Sequence, residues 1–375
     1  MRIILISYHG LADYTIALAN ALAQNNEVML VLSQKSATPF LHRIDQSIRR
    51  KLVYFPRLRN PLNLLYTLKI FFAIRRFKPD VIHFQGGFIW FSFILPLLLK
   101  YPVITTIHDA EPHAGDESSR NMRWFLPNFL ATRFSSKLIV HGENIRQQLA
   151  RNSKIPVNKI ASIQHGNGFI HKRNSKQIKC EDYRILFFGR ILEYKGLPYL
   201  IKAEPLISSE IPELKICIAG DGALMQDYEK LISDRSRYEI YNEYIDQELM
   251  EKLFLSSSLV VLPYNEASQS GIISIAYAFA KPVIATQVGA LPELIEHQRT
   301  GWIVPPCDER KLAQGIITLL KDKKLREKLG RNAFEKARNE MSWTNIARQT
   351  CDVYFSILNK RSKTNNDERQ GNPDC

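Results

Sequence analysis

The sequence is poor in the features that mark a metal ribbon, a disulfide scaffold or a membrane span. Its five cysteines (Cys180, Cys217, Cys307, Cys351 and Cys375) show no Cys-x-x-Cys spacing and no accompanying histidine cluster. That excludes a zinc ribbon and argues against a cystine-stapled fold; a reducing cytoplasm suits such usage. No Asp-x-Asp pair occurs anywhere to hold a cation beside a phosphate. The longest apolar run, Phe88 to Leu99, has twelve residues and contains Ser92 and Pro96, whereas a spanning helix needs about 20. The opening Met1-Arg2-Ile3-Ile4-Leu5-Ile6-Ser7 is too short for the apolar core of a secretory signal and reads as a buried strand. No repeat of the solenoid kind is found.

What is present is globular in character. Of 375 residues, 45% are hydrophobic and 23% charged, close to the average for folded domains. A single core rarely grows past roughly 250–300 residues, so the length predicts two domains. Charge is divided unevenly. Residues 1–175 hold 23 Lys and Arg against 9 Asp and Glu, and the remainder holds 28 of each, so the whole net charge of +14 lies in the first half.

Short apolar runs alternate with helical periodicity. Strands are predicted at Ile3–Ile6, Val28–Leu32, Val81–Phe84, Val103–Ile107 and Lys137–Val140, then at Arg184–Phe188, Leu214–Ala219, Leu259–Leu262 and Pro282–Ala285. Helices are predicted at 197–209, 222–234, 246–256, 271–280, 291–296, 308–321 and 323–340. The pattern implies an α/β protein of two doubly wound parallel sheets. The join falls near 165–181, where His165-Gly166-Asn167-Gly168 and the polar stretch Lys172–Lys179 have linker composition. The expected division is a first domain over 1–170, a second over 181–345, a helix over 346–360 packing back on the first, and a disordered tail over 361–375.

Ligands of such sheets bind beyond the carboxyl ends of the strands, and three segments follow strands immediately. Gly189-Arg190 and, after four residues, Lys195-Gly196 offer two cations and a helix start to an anion such as a diphosphate. The plain alternative is a solvated loop. Ala219-Gly220-Asp221-Gly222 is a glycine turn of a common kind. In Glu266-Ala267-Ser268-Gln269-Ser270-Gly271-Ile272 an acid precedes an apolar helix. The backbone N–H groups at Gly271 and Ile272 can cap a phosphate while Glu266 accepts from hydroxyls, or Ser270 is an ordinary N-cap. An acid beside an anion site makes electrostatic sense when the ligand carries both phosphate and hydroxyls, as a nucleotide sugar does.

Together these segments resemble the retaining GT-B glycosyltransferases of family 4, the group 1 glycosyl transferases. The resemblance continues through Lys281-Pro282-Val283-Ile284-Ala285-Thr286, Leu291-Pro292-Glu293-Leu294-Ile295 and Thr300-Gly301-Trp302-Ile303-Val304-Pro305-Pro306. It covers nearly the whole chain and is densest over 184–306. It implies a GT-B fold, two Rossmann-like domains facing a central cleft. It implies that Arg190 and Lys195 hold the donor diphosphate and that Glu266 binds hydroxyls of the transferred sugar. Gly189, Ser270, Gly271 and Ile272 would lie at the phosphates, and Gly220 and Tyr244 at the base. In the first domain it places His108, within Thr105-Thr106-Ile107-His108-Asp109, beside the reacting sugar, and Gly10 near the phosphates and acceptor. His83 and His141 also follow strands, and their plain reading is structural. One departure stands out: many members carry a second glutamate eight residues after the first, to bind ribose, and here that position is Ser274.

From His42 to Pro79 there are ten Lys and Arg and one acid, Asp45, with aromatic and aliphatic residues between them. This suits an anionic membrane surface; a solvated helix face and a nucleic-acid patch compete with it. The run Phe88–Leu99 favours the membrane, and no nucleic acid is expected. The resulting expectation is a metal-independent, retaining, hexosyltransferase-type enzyme without cofactor. It would move a sugar from a nucleotide sugar to a lipid-linked or glycan acceptor in cell-surface polysaccharide or glycolipid synthesis. The protein would be cytoplasmic and peripheral on the inner face of the membrane, binding anionic lipid through 42–78. The alternatives are a non-hydrolysing nucleotide-sugar epimerase and a non-enzymatic membrane or nucleic-acid binding protein.

Overall fold

A computed structural model describes the chain except residues 9–10, 56–59, 88, 93, 95, 109–121, 167–177, 268–269 and 371–375. It contains two sheets in which every recorded neighbouring pair of strands is parallel. The first has β1 (Arg2–Ser7), β2 (Glu27–Ser33), β3 (Arg49–Val53), β4 (Val81–Gln85), β5 (Val103–Thr106), β6 (Lys137–Val140) and β7 (Ile160–Ser162), in the order 3-2-1-4-5-6-7. The second has β8 (Arg184–Phe188), β9 (Lys215–Ala219), β10 (Tyr238–Tyr241), β11 (Leu259–Leu262), β12 (Val283–Thr286) and β13 (Gly301–Val304), in the order 10-9-8-11-12-13. Each expected strand is present. The four that the apolar pattern missed, β3, β7, β10 and β13, are the outer strands of the two sheets. An outer strand is paired on one side only, so it tolerates a sequence such as Arg-Arg-Lys-Leu-Val that a central strand would not.

Each sheet buries alternate residues on opposite faces. In the first, Ile3, Leu5 and Leu30 pack on the helices Ala12–Ala23 and Trp343–Gln370. Ile4, Ile6 and Val31 pack on Ile70, Ile74 and Phe77 of the helix Leu62–Phe77. In the second, Ile185 and Phe187 meet the helices Leu197–Ser208 and Glu309–Lys321, while Leu186 and Phe188 meet Gly271–Ala278 and Lys323–Asn339.

The chain divides into two compact units. One carries the first sheet and takes back the C-terminal segment from Trp343; the other carries the second sheet and runs to Ser342. The returning helix does not stop at 360, where the sequence suggested a disordered tail, but runs Trp343–Gln370. Residues 361–370 contain no glycine or proline, and the first breakers are Gly371 and Pro373. Two other helices are shorter than expected. The one sought over 222–234 is Met225–Glu229, and the one over 291–296 is Leu291–Leu294. The apolar run is likewise not one element: it forms Ile89–Ser92 and a 3₁₀ turn Pro96–Leu98, since Pro96 has no N–H with which to continue a helix. Among the described residues, no helix is long and apolar enough to cross a membrane.

Ile346 and Tyr354 on the returning helix are fully buried in the core of the first unit. Ile346→Ala is expected to cost about 2–5 kcal/mol, by transfer and cavity together. Urea unfolding followed by a fluorophore on the first unit checks this; a loss below about 1 kcal/mol would show that the helix does not complete that core.

Candidate functional site

The second unit gathers its polar loops at one edge, because parallel strands all end on the same side. The loop after β8 is tied to the loops after its neighbours. Gly189 N–H donates to Ala219 O at 2.8 Å, Ile191 N–H to Asp221 O at 2.8 Å, and Gly220 N–H to Tyr241 O at 2.9 Å. On the other side Asn265 N–H donates to Tyr194 O at 2.7 Å. Gly196 has φ +63°, and a side chain there would collide with the carbonyl of Pro263 and crowd Asn265. Only glycine therefore lets the Lys195 loop press against the strand end that leads into Glu266.

Lys195 is 9% exposed. Its ammonium lies 5.4 Å from the ring centre of Tyr264 and so close to Gly189 that a Cβ there would be 2.8 Å away. Among the described residues no carboxylate pairs with Lys195 or Arg190. Burial first, and then the charge of Arg190, pull the Lys195 ammonium down from 10.5 to about 8. A buried ammonium beside a guanidinium, with no carboxylate against it among the described residues, is an environment that favours an anion. The start of the helix Gly271–Ala278 points the same way. Ser270 makes no capping bond with its side chain; its hydroxyl is 3.4 Å from Tyr264 Oη. Ser270 thus holds the N-cap position of this helix without the side-chain bond of an ordinary N-cap. Ile272 reaches over Gly189, which brings this helix start to the Arg190 and Lys195 loop.

Glu266 is exposed on the loop after β11. Tyr244, beyond outer strand β10, is 82% exposed and stands apart, with no hydrogen bond or ring contact among the described residues. Ser274, at the place of the second acid, is buried with its hydroxyl 3.7 Å from Met341 Sδ, so it faces the core and not the edge. Gly10, Asp109, Ser268 and Gln269 lie outside the described residues.

In the first unit His108 follows β5 and is buried. Its Nδ1 is 3.1 Å from His141 Nε2, and its Nε2 is 3.2 Å from the Gln85 amide. That amide is 3.3 Å from His83 Nε2, which is also 2.7 Å from Thr106 Oγ1. His83 Nδ1 is 2.7 Å from Tyr354 Oη, and His141 Nδ1 is 2.9 Å from Ile163 O. Tyr14 sets its ring edge-on to His108 at 5.2 Å and touches His141, His165 and Trp343. Burial, and then the neighbouring histidines, push His108 well below 6.5; the same burial takes His83 down to about 3. His141, read from sequence as structural, is thus a direct partner of His108, and His83 is joined to it through Gln85. Gln85 and Thr106 escaped notice although each is a polar residue ending an apolar strand. Tyr354 could not have been found, being 271 residues from His83. Among the described residues, no group of three His, Cys, Asp or Glu could hold a metal ion.

Two family models match the chain: "Glycosyltransferase Family 4" over residues 8–166 and "Glycosyl transferases group 1" over residues 169–336. An uncharacterized glycosyltransferase of Methanocaldococcus jannaschii is 28% identical over 74% of this chain and 75% of its own. The alpha-D-kanosaminyltransferase of Streptomyces kanamyceticus is 22% identical over 73% and 75%. Among solved structures, Anabaena HepE in complex with UDP superposes with a TM-score of 0.73 at 18% identity, over 95% of this chain and 100% of that one. A glycosyltransferase from Rickettsia africae does so with 0.73 at 18%, over 95% and 98%.

The depressed Lys195 sets a pH dependence. An anion bound there favours the charged form and raises its pKa above the free value of about 8. Affinity for a diphosphate is therefore full below pH 8 and falls as pH rises through it, by about tenfold per unit at most. Calorimetric titration with inorganic pyrophosphate from pH 7 to 9.5 checks this against Lys195→Ala, in which the added dependence should vanish.

Proposed function

The chain belongs to the group 1 glycosyl transferases and has the GT-B fold, and on that premise we propose that it transfers a sugar, with retention, from a nucleotide-diphosphate-sugar to a lipid-linked or glycan acceptor in cell-surface polysaccharide or glycolipid synthesis. The observation that carries the donor is the buried, acid-free Lys195 beside Arg190 at the carboxyl end of β8. Bond breaking at the anomeric carbon leaves a nucleoside diphosphate with growing negative charge. Two cations and the N–H groups of Gly271 and Ile272 stabilise that charge more as it grows, so they act on the transition state more than on the bound donor. Acceptor attack follows on the face the diphosphate leaves, without a protein nucleophile. Glu266 accepts hydrogen bonds from hydroxyls of the moving sugar, Gly220 and Tyr244 border the base, and His108 and Gly10 act at the reacting sugar and acceptor. The side-chain cations take the part a divalent metal plays elsewhere, so the reaction is metal-independent. UDP and UDP-glucose are named with the HepE structures, which makes a uridine donor the first to test.

The first unit supplies the acceptor's setting. Leu62, Leu65, Lys69, Phe72 and Arg76 line one face of the helix Leu62–Phe77, and all are exposed, Phe72 by 65%. Leu97, Leu99 and Phe129 are exposed as well, and Arg49, Arg50 and Lys51 lie on outer strand β3. Apolar side chains among cations suit anionic lipid, each cation adding about 1 kcal/mol near the surface. The protein would then act at the inner face of the cytoplasmic membrane.

Transfer assayed with a panel of nucleotide sugars in the presence of chelator tests the reaction. Activity should persist in chelator. Arg190→Ala and Lys195→Ala should each lose on the order of 10²–10³ in rate, while Glu266→Gln should impair transfer more than nucleotide binding. Wild-type turnover in either cation variant would overturn the assignment. For the surface, co-sedimentation with anionic and neutral vesicles is compared for wild type and a variant with Arg49, Arg50, Lys51, Arg75 and Arg76 changed to Gln. Binding should favour anionic vesicles and weaken in the variant and in salt; equal binding to both kinds would overturn it.

A further inference from the structure

We propose that the groove between outer strand β13 and the helix Glu309–Lys321 is a second sugar site, which holds one uncharged pyranose ring of a glycan chain on Trp302, apart from the loops of Arg190 and Glu266. The inference goes beyond the transfer reading and does not need it, since the groove binds without a donor.

The groove is built by the period of a helix laid against the end of a sheet. Lys311, Gln314, Gly315 and Thr318 stand at i, i+3, i+4 and i+7, so they share one stripe of the helix. Leu312, Ile316 and Leu319 form another stripe, which is buried in the core. The first stripe faces Trp302, which is half-buried on β13. The two meet at Gly315, where a Cβ would come within 3.0 Å of Trp302 Cδ1 and 3.3 Å of its Nε1. Glycine is unfavourable inside a helix relative to alanine; here it lets the indole lie close on the helix. Between strand and helix is a cavity of about 260 Å³, whose lining also includes His297 and Pro305.

What can occupy it follows from which groups are already engaged. β13 ends its sheet, and a free edge invites another strand. Here two of the outward backbone groups are taken: Gln298 N–H donates to Gly301 O at 2.8 Å, and Ile303 N–H to His297 Nδ1 at 3.0 Å. An added peptide strand is therefore disfavoured. An anion is poorly served as well. The helix start is capped by Asp308, whose carboxylate accepts from Lys311 N–H at 2.8 Å, and Lys311 itself is exposed. Among the described residues no Asp or Glu lines the cavity to hold a cation. The remaining groups suit hydroxyls. Because His297 Nδ1 accepts, its ring hydrogen is on Nε2. Among the described residues the Gln314 amide and the Lys311 ammonium make no hydrogen bond or ion pair. Thr318 Oγ1 donates to Gln314 O at 2.8 Å and keeps a lone pair. Donors and acceptors thus surround an aromatic platform. A pyranose has the complementary form, with C–H groups on its face and hydroxyls round its rim. Whole drug-sized ligands take about 300–1,000 Å³, so the cavity suits one ring of a chain that continues along the surface, and not a nucleotide sugar. Pro305 directly follows β13, and Cys307 Sγ lies 3.7 Å from Asn265 Oδ1, beside Glu266. One end of the groove therefore opens at the edge where the Arg190 and Glu266 loops gather.

The test uses the full chain labelled with ¹⁵N-tryptophan and titrated with short neutral oligomers of glucose, galactose and mannose, without any nucleotide sugar. The indole signal of Trp302 is assigned through Trp302→Leu, which keeps apolar packing and removes the platform. That signal should shift and saturate with at least one oligomer, and the leucine variant should lose the binding. A variant combining Lys311→Ala and Gln314→Ala changes only exposed helix positions, where alanine is well tolerated. It should keep its thermal unfolding midpoint and bind the oligomer about five- to tenfold more weakly, the equivalent of one hydrogen bond. No shift of Trp302 with any oligomer, or unchanged affinity in the double variant, overturns the proposal. So does a Trp302 shift that inorganic phosphate or uridine produces at lower concentration than the oligomers. Oligomers that shift Trp302 in a chain that transfers no sugar would leave the groove standing and remove the transfer reading; transfer with Trp302 unmoved would do the reverse.

Discussion

Both units obey one constraint: all strands of a parallel sheet leave it at the same edge. The interior of such a strand is covered on both faces and is therefore apolar, as in Ile-Leu-Phe-Phe of β8 or Ile-Ile-Leu-Ile of β1. The strand end is where the chain can next carry polar groups, exposed or paired with one another. Neighbouring strands lie about 4.8 Å apart, so the groups that follow them meet, however far apart they are in the chain. Arg190, Gly220 and Glu266 are brought together in this way in one unit, and Gln85, His108 and His141 in the other.

The two gatherings differ in what their polar groups meet. The one after β8 concentrates positive charge, holding a buried ammonium beside a guanidinium and leaving the helix start at Gly271 uncapped by Ser270. Burial and the neighbouring guanidinium pull the Lys195 ammonium down, which favours an anion against it. In the one after β5 each buried ring nitrogen of His83, His108 and His141 has a partner within 3.3 Å. Satisfied buried polar chains of this kind rigidify what they hold.

Glycine usage supports the same division of labour. Gly196 allows the Lys195 loop to seat against Pro263, and the Tyr194 carbonyl takes the Asn265 N–H. Two loops separated by about seventy residues are thereby held as one surface. Ser274 illustrates the converse. At the place where the resemblance leads one to look for an acid, this chain has a small hydroxyl turned to Met341, which adds to the core.

Much of this was legible in the amino-acid sequence. The central strands announce themselves as apolar runs of the right length, and the loops of Arg190, Lys195 and Glu266 follow directly upon them. The outer strands β3, β7, β10 and β13 did not announce themselves, because a strand with one free edge has no need of a continuous apolar pattern. The extent of the last helix was hidden as well, since polar helix formers resemble disordered composition. What only the tertiary structure decided is which residues surround His108 and how deeply Lys195 is buried. Tyr354 reaches His83 across 271 residues, on a helix whose own periodicity says only that one face is apolar. Local pattern reports which residues are able to leave water. Whether a histidine then meets a carbonyl, an amide or another histidine depends on packing between elements far apart in the chain, and that contact is what sets its charge.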